Sequence, residues 1–314
     1  MKRGSSGLDL VLGVNKPLGM SSHDVVDAVR RALGERRVGH AGTLDPAADG
    51  VLVVGVGQGT RLMGLLTADQ KSYLASITFG FETTTDDAEG EPTRFADVLE
   101  QLCDEGYARD VLSSFVGEQD QVPPAYSAIS VNGKRSYARA RAGEKVELEP
   151  RRVKVSVAQL LSVETERAEG TEAPLVRWQC AFTVSKGTYV RALARDIGRR
   201  ANSAAHLSQL CRTASGTVTL AQCTTLETIA ELGAKGIERV ALDPVTALGL
   251  PIRRLEGREV KDVSCGRRIE ARDVPYGQSV ALVSDGKLVG VWESDGNRLF
   301  AKTNFARGIV GVRA

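Results

Sequence analysis

Four consecutive apolar residues, Val51 to Val54, follow an irregular stretch rich in glycine, and a short apolar run bounded by turn residues predicts a strand buried on both faces. Upstream, residues 8–14 predict a first strand and Asn15-Lys16-Pro17-Leu18-Gly19-Met20 a turn. Val25, Val26, Val29, Ala32 and Leu33 then make one apolar stripe at helical spacing. Ser21 or Ser22 is the N-cap of that helix, Asp24 suits its first turn, and Gly34 ends it. From Lys71 onward the period drops to two, with Tyr73, Ala75, Ile77, Phe79 and Phe81 alternating with Leu74, Ser76, Thr78 and Gly80. Tyr73 is therefore predicted on the apolar face of a strand.

Residues 153–163 and 175–184 predict two further strands of the same sheet, the second with Val176, Trp178, Cys180, Phe182 and Val184 on one face. Helical patterns cover residues 95–103, 110–115, 226–232 and 237–248, and a strand-like pattern covers 215–220. Another helix opens after Ser185-Lys186-Gly187-Thr188-Tyr189-Val190-Arg191, with Thr188 as its expected cap. After Pro251 the pattern is all-β. Strands around 280–284, 287–293 and 298–303 are joined by Asp285-Gly286 and Asp295-Gly296, both strong hairpin signals.

Length and charge bound what such a chain does. At 314 residues it accommodates one large domain and a small one. With 41 Lys and Arg against 39 Asp and Glu the net charge is +2, so a nucleic-acid footprint has to come from the arrangement of charge. Between Lys134 and Lys154 there are eight basic and three acidic residues, and Tyr137 lies among them. That is the clearest basic patch in the chain, equally the mark of an RNA contact and of a solvated hairpin. Five cysteines without a Cys-x-x-Cys pair read as reduced thiols of a cytoplasmic protein, and three scattered histidines make zinc an unexpected ligand. No segment is long and apolar enough for a bilayer span, and the basic N-terminus lacks a signal-peptide pattern.

The candidate chemistry lies just before the buried apolar run, in Arg37-Val38-Gly39-His40-Ala41-Gly42-Thr43-Leu44-Asp45-Pro46. Pro46 disfavours the α region for Asp45, so the carboxylate is aimed by backbone at the mouth of a turn. Alone, Asp-Pro is an ordinary turn starter. A second constraint comes from Arg191. It falls in the first turn of its helix, where the positive end of the helix dipole disfavours a cation, so a carboxylate partner is expected. Arg191, Arg195 and Arg199 recur every four residues, the spacing of a solvated stripe. Arg195 and Arg199 are read as surface residues.

The Gly-His-x-Gly-x-Leu-Asp-Pro loop resembles the catalytic motif of the pseudouridine synthases, of the bacterial tRNA pseudouridine synthase B type. Four other segments agree with that family in order: Asn15 to Ser22, Lys71-Ser72-Tyr73, Lys186 to Arg191 and His206 to Arg212. The resemblance implies an α+β fold with a mixed, mainly antiparallel central sheet flanked by helices in residues 1–250. Within it a thumb-like RNA-binding insertion occupies about 123–152, and residues 251–314 form a small PUA-like β-barrel domain.

The resemblance also implies an activity, isomerisation of uridine to pseudouridine in the T loop of tRNA, without a cofactor. Asp45 matches the essential aspartate, Arg191 the arginine that pairs with it, and Tyr73 the tyrosine that stacks on the target base or accepts its proton. His40 matches the wedge that replaces the flipped base, Lys16 a wall of the site, Asp87 the aspartate that holds the arginine, and Leu210 a leucine packed on the base. Tyr126 and Lys134 fall in the substrate-binding thumb. Here the chain has Ser130 where the family usually has lysine, Gly59 where it commonly has alanine, and Cys211 where it often has arginine. The implied partner is the T-stem loop of tRNA, with no membrane and no obligatory protein partner, and the chain is expected to be a monomer. Two other readings fit parts of the pattern: an RNA-folding module that remodels tRNA whatever its chemistry, and a guide-RNA-dependent homologue. The thumb-like segment and the lack of a lysine-rich tail favour the standalone enzyme.

Overall fold

The computed structural model describes residues 6–67, 69–127, 130–131, 134–135, 148–166 and 174–313. Most of the basic insertion, including Tyr137 and the side chain of Lys134, lies outside the described residues. The chain divides into two compact units, Met1–Ala68 with Ala214–Ala314, and Asp69–Thr213.

In the first unit, Leu10–Lys16 pairs antiparallel with Ala48–Val56, on which Val38–Ala41 also pairs antiparallel. The predicted double burial of Ala48–Val56 has a specific origin. Leu52, Val54 and Val56 enter one apolar cluster with Val25, Val26, Val29 and Leu33 of the helix Ser22–Leu33. Val51 and Val53 point the other way, into a cluster with Val283, Leu288 and Phe305 of the C-terminal sheet. A strand with a core on each side has no room for polar alternation, which is why it reads as a continuous apolar run. The helix begins as expected, with Ser21 and Asp24 forming a reciprocal capping box.

The C-terminal residues build a five-stranded sheet in the order Ile252–Arg254, Ser279–Ser284, Lys287–Ser294, Arg298–Ile309, Ile269–Glu270. Asp285 and Gly286 have φ of 49° and 69°, the left-handed pair that a tight hairpin turn requires. The all-β expectation fails at one place, because Arg258–Ser264 is a helix. Its single buried position, Val263, is too little periodicity for a sequence pattern to register.

The second unit is a sheet in the order Ala205–Ser215, Gln70–Phe79, Leu175–Ser185, Arg151–Glu166, Gly117–Gln121. The pairings of Leu175–Ser185 with Gln70–Phe79 and of Arg151–Glu166 with both its neighbours are antiparallel. Tyr73, Ala75, Ile77 and Phe79 are buried and Leu74 is exposed, so the period-two pattern identified the inner face correctly. Phe79 and Trp178 pack with ring centroids 4.6 Å apart, and the buried Trp178 indole donates to the Leu102 carbonyl at 2.8 Å.

Two helical expectations and one strand expectation change. Residues 92–95 are the edge strand Pro92–Phe95, and only Glu100–Cys103 is helical, as a 3-10 turn. The pattern over 237–248 resolves into a 3-10 turn, Ile237–Val240, and a helix, Pro244–Leu248, started by the Asp243 cap. Of 215–220, Ser215 ends the strand Ala205–Ser215, Val218–Thr219 is a two-residue strand folded back on it, and Leu220 opens a 3-10 turn.

Candidate functional site

Asp45 lies half-buried where Val38–Ala41 gives way to Ala48–Val56. Its own carbonyl accepts the Ala48 amide at 3.1 Å, closing a turn with Pro46 at the second position. The turn is fastened from outside by the Asn15 to Ser22 segment. Lys16 is fully buried, and its ammonium donates to the carbonyls of Pro17 at 2.9 Å, Met20 at 2.6 Å and Pro46 at 3.4 Å. Lys16 is therefore not a solvated turn residue. Gly19 donates its amide to Pro46 at 2.9 Å. Ser22 Oγ donates to the Leu44 carbonyl at 2.9 Å and accepts the Leu44 amide at 2.8 Å. The residues on both sides of Asp45 are thus tied to one buried lysine and one buried serine. His40 stands opposite Val54 in the adjoining strand pair and is half-buried.

In the second unit Tyr73 is buried at one end of its strand, opposite Phe182. Lys71, two residues earlier, has its pKa lowered by burial and by the neighbouring cations Arg212 and Lys186. Leu210 is half-exposed in the strand Ala205–Ser215.

Arg191 opens the helix Val190–Arg200 and is buried. Its guanidinium donates to the Thr85 carbonyl at 3.0 Å and the Tyr126 carbonyl at 3.2 Å, and it faces Asp87 Oδ2 at 3.4 Å. Of the two adjacent aspartates, it is Asp87 that meets Arg191. Asp86 meets Arg195 instead, at 2.7 Å. Arg195 is buried, which corrects its reading as a surface residue. Helical spacing places Arg195 one turn below Arg191 but does not say what covers that turn, and here the Thr83 to Asp87 turn does. Arg199 is exposed as expected and takes both oxygens of the buried Glu82, at 2.9 and 2.7 Å.

The helix start is also corrected: Tyr189, not Thr188, is the N-cap, and no side chain of its own caps it. Gln121 acts in its place. Its buried amide accepts the Tyr189 N–H at 2.9 Å and donates to the Tyr189 carbonyl at 3.1 Å. Gln121, Ser22 and Arg195 support the predicted residues, and the sequence did not single out Gln121 or Ser22 for such a role. Each acts across at least 22 residues of chain, and only the polar type at a buried position would have hinted at it.

Chemically, the first unit offers a carboxylate on a turn fastened at both sides, and the second offers a buried tyrosine and an arginine whose direction is set by two carbonyls and a carboxylate. Among the described residues no group of three or more His, Cys, Asp or Glu side chains is gathered as a metal site requires, and no helix is long and apolar enough to cross a membrane.

A family model described as TruB family pseudouridylate synthase, N-terminal domain, matches residues 30–190. A tRNA pseudouridine synthase B from Thermobifida fusca is 43% identical over 291 residues, covering 91% of this chain and 94% of that protein. Its counterpart in Mycobacterium leprae is 39% identical and covers 99% of each chain. Among solved structures, an H/ACA ribonucleoprotein bound to a substrate RNA containing 2'-deoxyuridine aligns over 94% of this chain and 84% of its own, with a TM-score of 0.68 and 21% identity. The archaeal box H/ACA Nop10-Cbf5 complex aligns with a TM-score of 0.67 and 22% identity, over 94% of this chain and 85% of that one. Both share the fold.

Proposed function

The chain belongs to the TruB family of pseudouridylate synthases, and on that premise we propose that it isomerises uridine to pseudouridine in the T loop of tRNA, with Asp45 as the essential group. The observation that carries this reading is the fastening of the Asp45 turn. The backbone on both sides of Asp45 is held by the buried Lys16 and Ser22, and such pre-orientation of the segment that carries a reacting group removes part of a reaction's entropic cost.

The target glycosidic bond lies inside a stacked loop, so the nucleotide must first be extruded, at a cost of a few kcal/mol. His40, five residues before Asp45, is the wedge that fills the vacated stack. Tyr73 then stacks on the everted uracil, and such a contact contributes roughly 1–3 kcal/mol. Leu210 packs on its other side. The reaction breaks the bond from C1′ to N1, turns the uracil and forms a bond from C1′ to C5, and the C5 proton leaves as N1 gains one. Composition is unchanged, so the reaction consumes no redox equivalent or group donor.

Two routes are open to Asp45: covalent attack, or removal of a ribose proton to give a glycal. In either, the guanidinium of Arg191 is the cation we assign to the reaction alongside Asp45. Asp87, with the carbonyls of Thr85 and Tyr126, aims that guanidinium. The basic insertion around Lys134 grips the T-stem backbone. Residues 251–314 serve as a PUA-like RNA-binding domain, and the enzyme works as a cytoplasmic monomer.

Tritium release from tRNA transcript labelled at uracil C5 tests the assignment, with a transcript lacking the T-loop uridine as control. Release is expected from the first and absent from the second. Equal release from both would remove the substrate assignment.

A further inference from the structure

Arg191 and Arg195 stand one helical turn apart and are held in the same way. Each takes one carbonyl from the segment leading to Tyr126: Arg191 from Tyr126 at 3.2 Å, Arg195 from Val122 at 2.9 Å. Each also meets one carboxylate from the turn that follows Thr83, Asp87 at 3.4 Å and Asp86 at 2.7 Å. The two arginines are therefore two rungs between the same pair of rails, and only the upper rung is used by the proposed chemistry.

The lower rung sits where it sets the upper one. Asp86 lies between Thr85, whose carbonyl accepts from Arg191, and Asp87, whose carboxylate faces it. Its backbone is in the left-handed region, φ 61°, which a side chain adopts at a cost unless its surroundings hold it there. Arg195 supplies such a hold through the Asp86 carboxylate. Leu207 supplies another, donating its amide to the Asp86 carbonyl at 3.0 Å. Arg195 is in turn braced by Asp196, to which Nε donates at 3.0 Å. Both members of the Asp86–Arg195 pair are buried, so the contact is not loosened by bulk water.

We propose that Asp86 and Arg195 are a positioning pair that fixes the direction of the Arg191 guanidinium, and so sets the turnover rate without touching substrate. This rests on the reading of Arg191 as the active-site arginine. Breaking the lower rung frees the left-handed residue between the two Arg191 contacts, and the guanidinium then samples more than one direction.

The experiment compares Arg195→Gln, Arg195→Lys and Asp86→Asn with the parent, reading tritium release under single-turnover conditions on the folded fraction, together with KM for tRNA. Arg195→Gln and Asp86→Asn are expected to lower the rate about tenfold with KM unchanged, since small misplacements of a reacting group cost up to about a hundredfold. Arg195→Lys, which keeps a cation for Asp86, is expected to recover part of that loss. Arg199→Gln, on the same helix but outside the paired rungs, leaves the rate unchanged. Rates for both Arg195→Gln and Asp86→Asn within twofold of the parent would overturn the proposal, as would a loss confined to KM. Arg191→Gln separates the two levels. If it retains full activity, the reading of Arg191 fails; if it is inactive while the Asp86 and Arg195 variants are not, only the positioning pair fails.

Discussion

Ser22 Oγ holds both backbone groups of Leu44, donating to its carbonyl at 2.9 Å and accepting its amide at 2.8 Å, and Leu44 immediately precedes Asp45. Ser22 is the first residue of its helix, so one hydroxyl ties the orientation of that helix to the turn presenting the carboxylate. Ser22→Ala leaves two buried backbone groups without that partner. A loss of about 1–3 kcal/mol in urea unfolding is expected, with a lower single-turnover rate and unchanged affinity for tRNA. An unchanged rate at unchanged stability would mean the turn is held without it.

Lys16→Met tests the other fastening. The apolar stem stays in place, but the ammonium that serves three carbonyls is lost. Roughly 3 kcal/mol of destabilisation is expected, because buried carbonyls are left without a charged donor. Thermal unfolding of parent and variant measures it, and a variant as stable as the parent would show that the carbonyls find other donors.

Asp45→Asn keeps the turn, since the Ala48 bond runs to the Asp45 carbonyl and not to its side chain. Tritium release is expected to fall on the order of 10⁶-fold, as when a nucleophile or its base is removed from a hydrolase. Binding of tRNA, followed by filter retention, should stay within about twofold, as should any tRNA-folding activity. Retained isomerisation would end the assignment of Asp45.

Burial pushes the Asp86 carboxyl up to about 6, even with Arg195 at 2.7 Å. The unfolded chain titrates this group near 3.9, so between about pH 4 and 6 the native state binds the extra proton. A raised acid of this kind favours folding below its unfolded pKa, and that contribution is lost as pH rises through the folded value. Asp86→Asn removes the dependence. Relative to the parent, the variant should therefore gain stability from about pH 4 to 7, on the order of 2 kcal/mol, measured by urea unfolding at each pH. The loss of the Arg195 contact adds an offset that is constant in this range. A difference flat with pH would contradict the raised pKa.

Gly59→Ala restores the residue the family commonly carries, yet the added Cβ would fall 2.1 Å from the Leu10 carbonyl oxygen. The backbone of Leu10–Lys16 cannot yield as a side chain would, because that strand is paired along its length. About 1–3 kcal/mol of destabilisation is expected, the usual cost of overpacking, read from the thermal midpoint. No change would mean that the first strand shifts freely at its start.

Local chemistry carried much of this molecule. The capping box at Ser21 and Asp24, the Asp45-Pro46 turn, the Asp285-Gly286 hairpin and the inner face of Gln70–Phe79 all follow from interactions within a few residues. The need for a carboxylate beside Arg191 followed from the helix dipole, and the family motif pointed to Asp87. Tertiary structure decided what lay beyond that reach. Arg195 and Asp86 are 109 residues apart, and Gln121 and Tyr189 are 68 apart. A four-residue spacing of arginines is the same in sequence whether the helix face meets water or a buried turn. Which of the two it meets depends on the path of the chain between, and that path is set by the packing of the whole sheet.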